Sequence, residues 1–192
     1  MLALARAAAV TPVRRLAGGH AATLDSGCLC LAWAQPHPRL EESGARYELI
    51  AEAIVDALDA LGVASSLGES PGEWCPGAWS VHGRSGKLAG LAQRVISGGA
   101  WCEALIVIHA APQLRVLAKQ VHEVLGLDWS DSAQGEIAGL LPGAADPHAA
   151  LTDALTAALT ERLGPVTQRP LPAAAHDQAL ALVSEHRFRH VA

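Results

Sequence analysis

Four stretches of this 192-residue chain carry residue types whose spacing could support chemistry. In RRLAGGHAATLD (14–25) two arginines precede paired glycines. Glycine lets backbone N–H groups come close to a bound group, and arginine forks match a carboxylate or phosphate; an ordinary Gly-rich turn gives the same pattern. In GEWCPGAWSV (72–81) Pro76-Gly77 sets a turn directly after Cys75, so the thiol stands at a bend. A cysteine placed there serves as a thiolate nucleophile when a base or positive charge is near, and is otherwise a buried apolar residue between two tryptophans. In GKLAGLAQRVISGGAW (86–101) the notable residue is Lys87, because 12 of the 14 basic residues are arginines and only Lys87 and Lys119 are lysines. Lysine is a compact point charge where arginine is a wide fork. A site that aims one cation at one oxygen requires lysine; a solvated strand-end lysine is the plainer alternative. Gly90, three residues on, marks a close approach to the strand. The fourth set is the nine histidines. No Cys-x-x-Cys pair accompanies them and no metal site is expected, so His20, inside the Gly-rich loop, is the one that stands out.

These residues need a scaffold. ARYELIAEAIVDALDALG (45–62) places Tyr47, Ile50, Ile54, Leu58 and Leu61 at three- and four-residue steps and ends at Gly62, which predicts an amphipathic helix with a glycine cap. VRRL (13–16) and CLCLAWA (28–34) read as strands on either side of the Gly-rich loop. Residues 63–85 are rich in Gly, Pro and Ser, with short strands at VASSL and AWSVHG. KLAGLAQRVI and AWCEALIVIHA, joined by Ser97-Gly98-Gly99, predict a hairpin. QLRVLAKQVHEVLG (113–126) is a second helix with Leu114, Leu117, Val121 and Leu125 on one face. From about residue 130 the pattern is helical throughout: GEIAGLL, then DPHAALTDALTAALTERLG starting at Asp146 or Pro147, then HDQALALVSEH (176–186). Strands mixed with helices up to residue 126, and helices alone afterwards, predict an α+β fold with a small helical C-terminal part.

Composition limits the function classes. The chain is 51% hydrophobic and 17% charged, below the roughly 25% charge of an average soluble domain. A net charge of -5 and a pI near 6.0 argue against a duplex nucleic-acid binder. No apolar run approaches the roughly 20 residues of a membrane span; ALIVIHAA (104–111) has the length of a strand. The opening MLALARAAAV faintly suggests a signal peptide, but Arg6 interrupts it and Arg14-Arg15 leads into Leu-Ala-Gly-Gly-His. It reads as part of a mature, cytoplasmic protein, in which Cys28, Cys30, Cys75 and Cys102 are reduced and available to react.

Taken in order, these stretches resemble the lipoate-protein ligase and octanoyltransferase family, which shares its fold with biotin protein ligases. The family's Arg-Arg-x-x-Gly-Gly-Gly loop is matched by Arg14-Arg15-Leu16-Ala17-Gly18-Gly19-His20, followed by Ala21 and Asp25. Its lysine run is matched by Gly86-Lys87-Leu88-Ala89-Gly90-Leu91-Ala92-Gln93-Arg94, and Trp74-Cys75-Pro76-Gly77 is similar to the Tyr-Cys-Pro-Gly segment of one branch. The resemblance spans roughly residues 10–126 and, more loosely, the helical tail. It implies a catalytic domain at 1–129, built on a mixed or antiparallel sheet packed with helices, and a helical extension at 130–192. It also implies attachment of a lipoyl or octanoyl group to the lysine of a lipoyl carrier, such as the glycine-cleavage H protein or a 2-oxoacid dehydrogenase E2. Acyl carrier protein would be one donor.

By the same resemblance, Lys87 would stabilise charge on the acyl carbonyl oxygen and Cys75 would carry the acyl group as a thioester. Arg15, Gly18, Gly19, His20, Asp25, Gly90 and Gln93 would bind the acyl chain or an adenylate. Two mechanisms divide the family: ligases use ATP and Mg to activate free lipoic acid, and cysteine-type transferases need no cofactor. A catalytically idle binding protein of the same fold is the alternative from another class. Three positions depart from the family pattern. His20 stands at the third glycine, where it would crowd the path or add a polar contact. Leu24 precedes Asp25 where ligases show His-Asp. Only 13 residues precede Arg14, which predicts a shortened N-terminus or a sheet lacking an edge.

Overall fold

The computed structural model of the protein describes residues 1–141 and 143–188. In chain order the elements are helix α1 (Leu2–Ala7), strand β1 (Cys28–Pro36), helix α2 (Ser43–Ala60), strands β2 (Ser65–Leu67), β3 (Val81–Gly83), β4 (Gly86–Ile96) and β5 (Gly99–Val107), and helices α3 (Pro112–Leu125), α4 (Pro147–Leu163) and α5 (Ala173–His186). The strands form one antiparallel sheet in the order β1-β5-β4-β3-β2. The fold is α+β, as the sequence predicts.

The β4–β5 hairpin is the spine of the sheet. It turns at Ser97-Gly98, and Gly98 takes φ +86, a left-handed conformation that glycine adopts without strain. Alternation then decides which face is buried. On β5, Ala100, Cys102, Ala104 and Ile106 are buried, and across the ladder they meet Gln35, Trp33, Leu31 and Leu29 of β1. This face is covered by α2, whose Ile50, Ile54, Ala57 and Leu58 are almost fully buried. Helix α4 packs against α2, and its Leu151, Leu155 and Ala158, together with Ile137 and Leu141, join the same core cluster. At its edge Arg162 grips Asp56 and Glu52 of α2, at 2.9 and 2.6 Å. The opposite face of the sheet exposes Cys30, Ala32 and Ala34 of β1 and carries the Arg15–His20 loop.

Two local expectations are corrected. VRRL (13–16) is not a strand; it makes one bridge, Val13 to Arg187. Adjacent arginines leave it without an apolar face to bury, and Val13 itself is exposed. GEIAGLL (135–141) contains only a 3-10 turn at Ala138–Leu140. Its apolar residues Ile137 and Leu141 are anchored in the core from an irregular backbone, which imitates a helical pattern. On α3 the buried residues are Leu117, Ala118, Val121 and His122, whereas Leu125, at the C-terminal end, is exposed.

Candidate functional site

The connection between β2 and β3 has no regular structure, yet it carries Cys75. What orders it is the carboxylate of Glu73, only 1% exposed. Glu73 Oε1 accepts from Gly77 N at 3.2 Å, Ser80 Oγ at 2.6 Å and Lys87 Nζ at 3.2 Å, and Oε2 accepts from Ser70 N at 3.2 Å. His82 Nε2 also stands 2.6 Å from Oε2, off the alignment of a hydrogen bond. A buried carboxylate persists only when its lone pairs are met in this way. Cys75, at the tip, takes φ +44, a left-handed conformation unusual for a residue with a Cβ.

Lys87 reaches the same carboxylate from β4. The ladder slips between Val81 and His82, pairing Val81 with Ala89 but His82 with Lys87. That bulge breaks the alternation and re-aims the side chain inward. Lys87 is fully buried; its ammonium donates to Glu73 Oε1, to the Trp74 carbonyl at 2.8 Å and to the Cys75 carbonyl at 2.8 Å. It also lies 4.3 Å from the centre of the Trp74 ring. Burial pushes Lys87 below the ordinary lysine range, and the adjacent Glu73 opposes that shift. Gly90 makes the seat possible: a Cβ there would come within 2.8 Å of the Trp74 ring and 3.0 Å of Lys87 Cε. The close approach expected at Gly90 is therefore that of Trp74.

The Gly-rich loop closes over the sulfur. His20 N donates to Cys75 Sγ at 3.3 Å and Arg15 Nη2 lies 3.6 Å from it. Arg15 also holds the His20 carbonyl at 3.0 Å and pairs with Glu103 of β5 at 3.1 Å. A Cβ on Gly19, where φ is +93, would stand 2.6 Å from both Arg15 Nη2 and Cys75 Sγ. His20 thus contributes its backbone to the sulfur, and its side chain does not crowd the loop from within. Gly18 is exposed, with nothing near the position of a Cβ.

Arg15, Gly19, His20, Cys75, Lys87 and Gly90 therefore form one connected cluster. Two expected residues bond elsewhere. Gln93 accepts from the buried Arg46 at 3.1 Å and donates to the Ser43 carbonyl at 2.8 Å, tying β4 to α2. Asp25 Oδ1 accepts from Gly27 N at 2.8 Å and starts β1. It also lines a small cleft of about 50 Å³, shared with Cys28, Trp74, Arg115, Trp129 and Gln134. Glu73 was not singled out from the sequence, although a signal existed. A lysine buried for function needs a carboxylate, and between residues 60 and 102 the only acids are Glu69 and Glu73. Among the described residues no group of three or more His, Cys, Asp or Glu could hold a metal ion.

Residues 2–125 match the family described as Lipoyl protein ligase A/B catalytic domain. The match spans well over half of the chain, and the chain belongs to that family of enzymes, whose chemistry is lipoate attachment in general. Its fold is that of solved lipoate-protein ligases. A lipoate-protein ligase A bound with ATP superposes with a TM-score of 0.72 at 17% identity, covering 96% of this chain and 72% of that one. A bi-partite lipoate protein ligase from Thermoplasma acidophilum, described with its E2 lipoyl domain, gives 0.71 at 17% identity, covering 96% and 71%. A lipoate protein ligase structure from T. acidophilum with bound lipoic acid gives 0.70, also at 17% identity, covering 96% and 72%. No curated protein matches the chain.

Proposed function

We propose that this protein transfers a lipoyl or octanoyl group to the lysine of a lipoyl-carrier protein, holding the group in transit as a thioester on Cys75. The observation that carries this reading is the convergence of His20 N and Arg15 Nη2 on Cys75 Sγ, which places two donors around a thiol at the tip of a turn. The Cys75 sulfur attacks the carbonyl carbon of an acyl thioester donor, and the carbonyl electron pair moves onto oxygen. Collapse breaks the bond to the donor sulfur, which leaves and takes up the proton Cys75 gave up. In the second half the acceptor lysine amine forms the amide bond, and the Cys75 sulfur departs with the proton the amine releases.

Lys87 supplies the positive charge for the oxyanion of both steps. Its ammonium already faces two carbonyl oxygens, and the acyl oxygen takes the place of one of them. Arg15, Gly19 and His20 frame the thiol, Gly18 leads the chain into that loop, Gly90 seats Lys87 and Trp74, Asp25 lines the cleft, and Gln93 braces β4 against α2. The acceptors are lipoyl domains such as the glycine-cleavage H protein or a 2-oxoacid dehydrogenase E2, and acyl carrier protein is a donor. The four free cysteines fit a cytoplasmic location.

A second reading is an ATP-dependent ligase, favoured by the likeness to the ATP-bound structure. In it ATP, with Mg, activates free lipoic acid. Gln134, whose buried Oε1 has no hydrogen-bond partner, lines the cleft together with Asp25 and Arg115, the polar side chains available to a nucleotide there. Incubation with octanoyl-acyl carrier protein followed by intact-mass measurement separates the readings. The first expects the mass of one octanoyl group on the wild type and none on Cys75→Ala. A wild type of unchanged mass contradicts it, and lipoate attachment by Cys75→Ala with ATP supports the second.

A further inference from the structure

The geometry points to Glu73 as a positioning residue that holds the Cys75 turn and the Lys87 ammonium in one fixed arrangement, an inference that rests on the thioester reading above. Glu73 lies too deep to touch a substrate, at 1% exposure. Its partners lie on both sides of the nucleophile: Ser70 before it, and Gly77 and Ser80 after it. The chain thus leaves one carboxylate, turns at Cys75 and returns to the same carboxylate. Lys87 binds that carboxylate and, with its other two hydrogens, the Trp74 and Cys75 carbonyls. One anion therefore fixes the backbone that presents the sulfur and the cation that meets the acyl oxygen.

Every donor to Glu73 has a consequence for a substitution. An amide at this position keeps one oxygen but turns an NH2 toward donors that need an acceptor, either Ser70 N or the Gly77, Ser80 and Lys87 group. It also leaves Lys87 buried without its counter-charge, which favours the neutral amine. The titratable groups acting on Lys87 are Glu73, Glu69 and the Cys75 thiol, and His82 faces Glu73 from β3. Removing the Glu73 charge lowers the pH at which Lys87 deprotonates, so an activity that needs the ammonium loses its alkaline limb at lower pH.

The test compares the wild type, Glu73→Gln and Glu73→Asp in two measurements. In the first, the rate of acyl loading on Cys75 from octanoyl-acyl carrier protein is followed against pH. We expect Glu73→Gln to lower kcat by about 10- to 100-fold with KM for the donor within about threefold, and to move the alkaline limb to lower pH. Glu73→Asp keeps the charge and restores the limb in part. In the second, ¹³Cε-labelled lysine is titrated by NMR; the chain has only two lysines, so Lys87 and Lys119 give two signals. Lys87 shifts to a lower midpoint in Glu73→Gln, while Lys119 does not move. A wild type that fails to load overturns the thioester reading, and the NMR titration still judges Glu73. An unchanged Lys87 midpoint in a folded Glu73→Gln protein overturns the positioning role, as does an unchanged kcat and pH profile in a wild type that loads.

Discussion

Lys87 and Cys75 are joined through the backbone and not through the thiol. The Lys87 ammonium donates to the Cys75 carbonyl at 2.8 Å, while the Cys75 sulfur turns away to accept His20 N at 3.3 Å. One residue therefore serves two loops. Its carbonyl end is fixed from the sheet and its sulfur end is covered by the Gly-rich loop, with a left-handed φ reconciling the two directions.

Gly19→Ala tests the loop side. Its Cβ would lie 2.6 Å from both Arg15 Nη2 and Cys75 Sγ, at a backbone φ of +93. The expected result is a loss of stability of about 1–2 kcal/mol and a roughly 10-fold slower loading of Cys75. Gly18→Ala, with open space around its Cβ, stays close to the wild type in both. Urea unfolding and loading rates measured side by side check the contrast.

Gly90→Ala tests the sheet side. The new methyl would press on the Trp74 ring at 2.8 Å and on Lys87 Cε at 3.0 Å. Overpacking of this kind costs about 1–3 kcal/mol. The thermal midpoint of Gly90→Ala should fall well below that of Gly77→Ala, a substitution made into open space. Equal midpoints for the two variants contradict the tight seat.

The two halves of the site were unequally legible in the sequence. Cys75 and Lys87 stood out by type: a thiol at a Pro-Gly bend, and a lysine in a chain of arginines. Helix α2 and the β4–β5 hairpin were legible because their apolar periods and the Gly98 turn are local signals. Glu73 was obscured, because an acid in a Gly- and Pro-rich loop normally faces water, and only the bulge at His82 and Lys87 brings it a buried cation. VRRL failed for a related reason, since a four-residue run with its two apolar residues at the ends and arginines between them carries no alternation to fix a strand. The bonding of Gln93 to Arg46 and Ser43 depends on a long-range contact between β4 and α2, which no local pattern encodes.

Thiol selectivity follows from burial. Desolvation pushes Cys102 up to about 11 and raises Cys28 and Cys30 as well. At pH 8, then, Cys102 remains protonated and slow toward alkylation. Brief iodoacetamide treatment followed by peptide mass mapping should label the exposed Cys30 and leave the buried Cys102 unlabelled in the folded protein. Labelling of Cys102 as fast as Cys30 refutes this ordering.

The buried lysine also sets a sign for stability against pH. Desolvation holds Lys87 below its unfolded value near ~10.4. Between the depressed folded value and the unfolded one, the unfolded chain binds more protons, so stability rises with pH through that window. Below the window the cost of burying the ammonium is fully present. Lys87→Met has no such group and should lack that share of the rise, which urea unfolding of the two proteins at a series of alkaline pH values would reveal. Identical slopes for both proteins count against a strained Lys87.

The most direct test of the central claim is a chase. Octanoyl-Cys75 protein, freed of donor, is mixed with a lipoyl domain in the absence of nucleotide, and both masses are followed in time. The thioester account expects the octanoyl mass to leave this protein and appear on the domain's lysine at matching rates, with Lys87→Ala slowing the exchange by roughly 100-fold. An acyl group that stays on Cys75 while the domain is modified only when ATP is added, and is modified equally by Cys75→Ala, contradicts it.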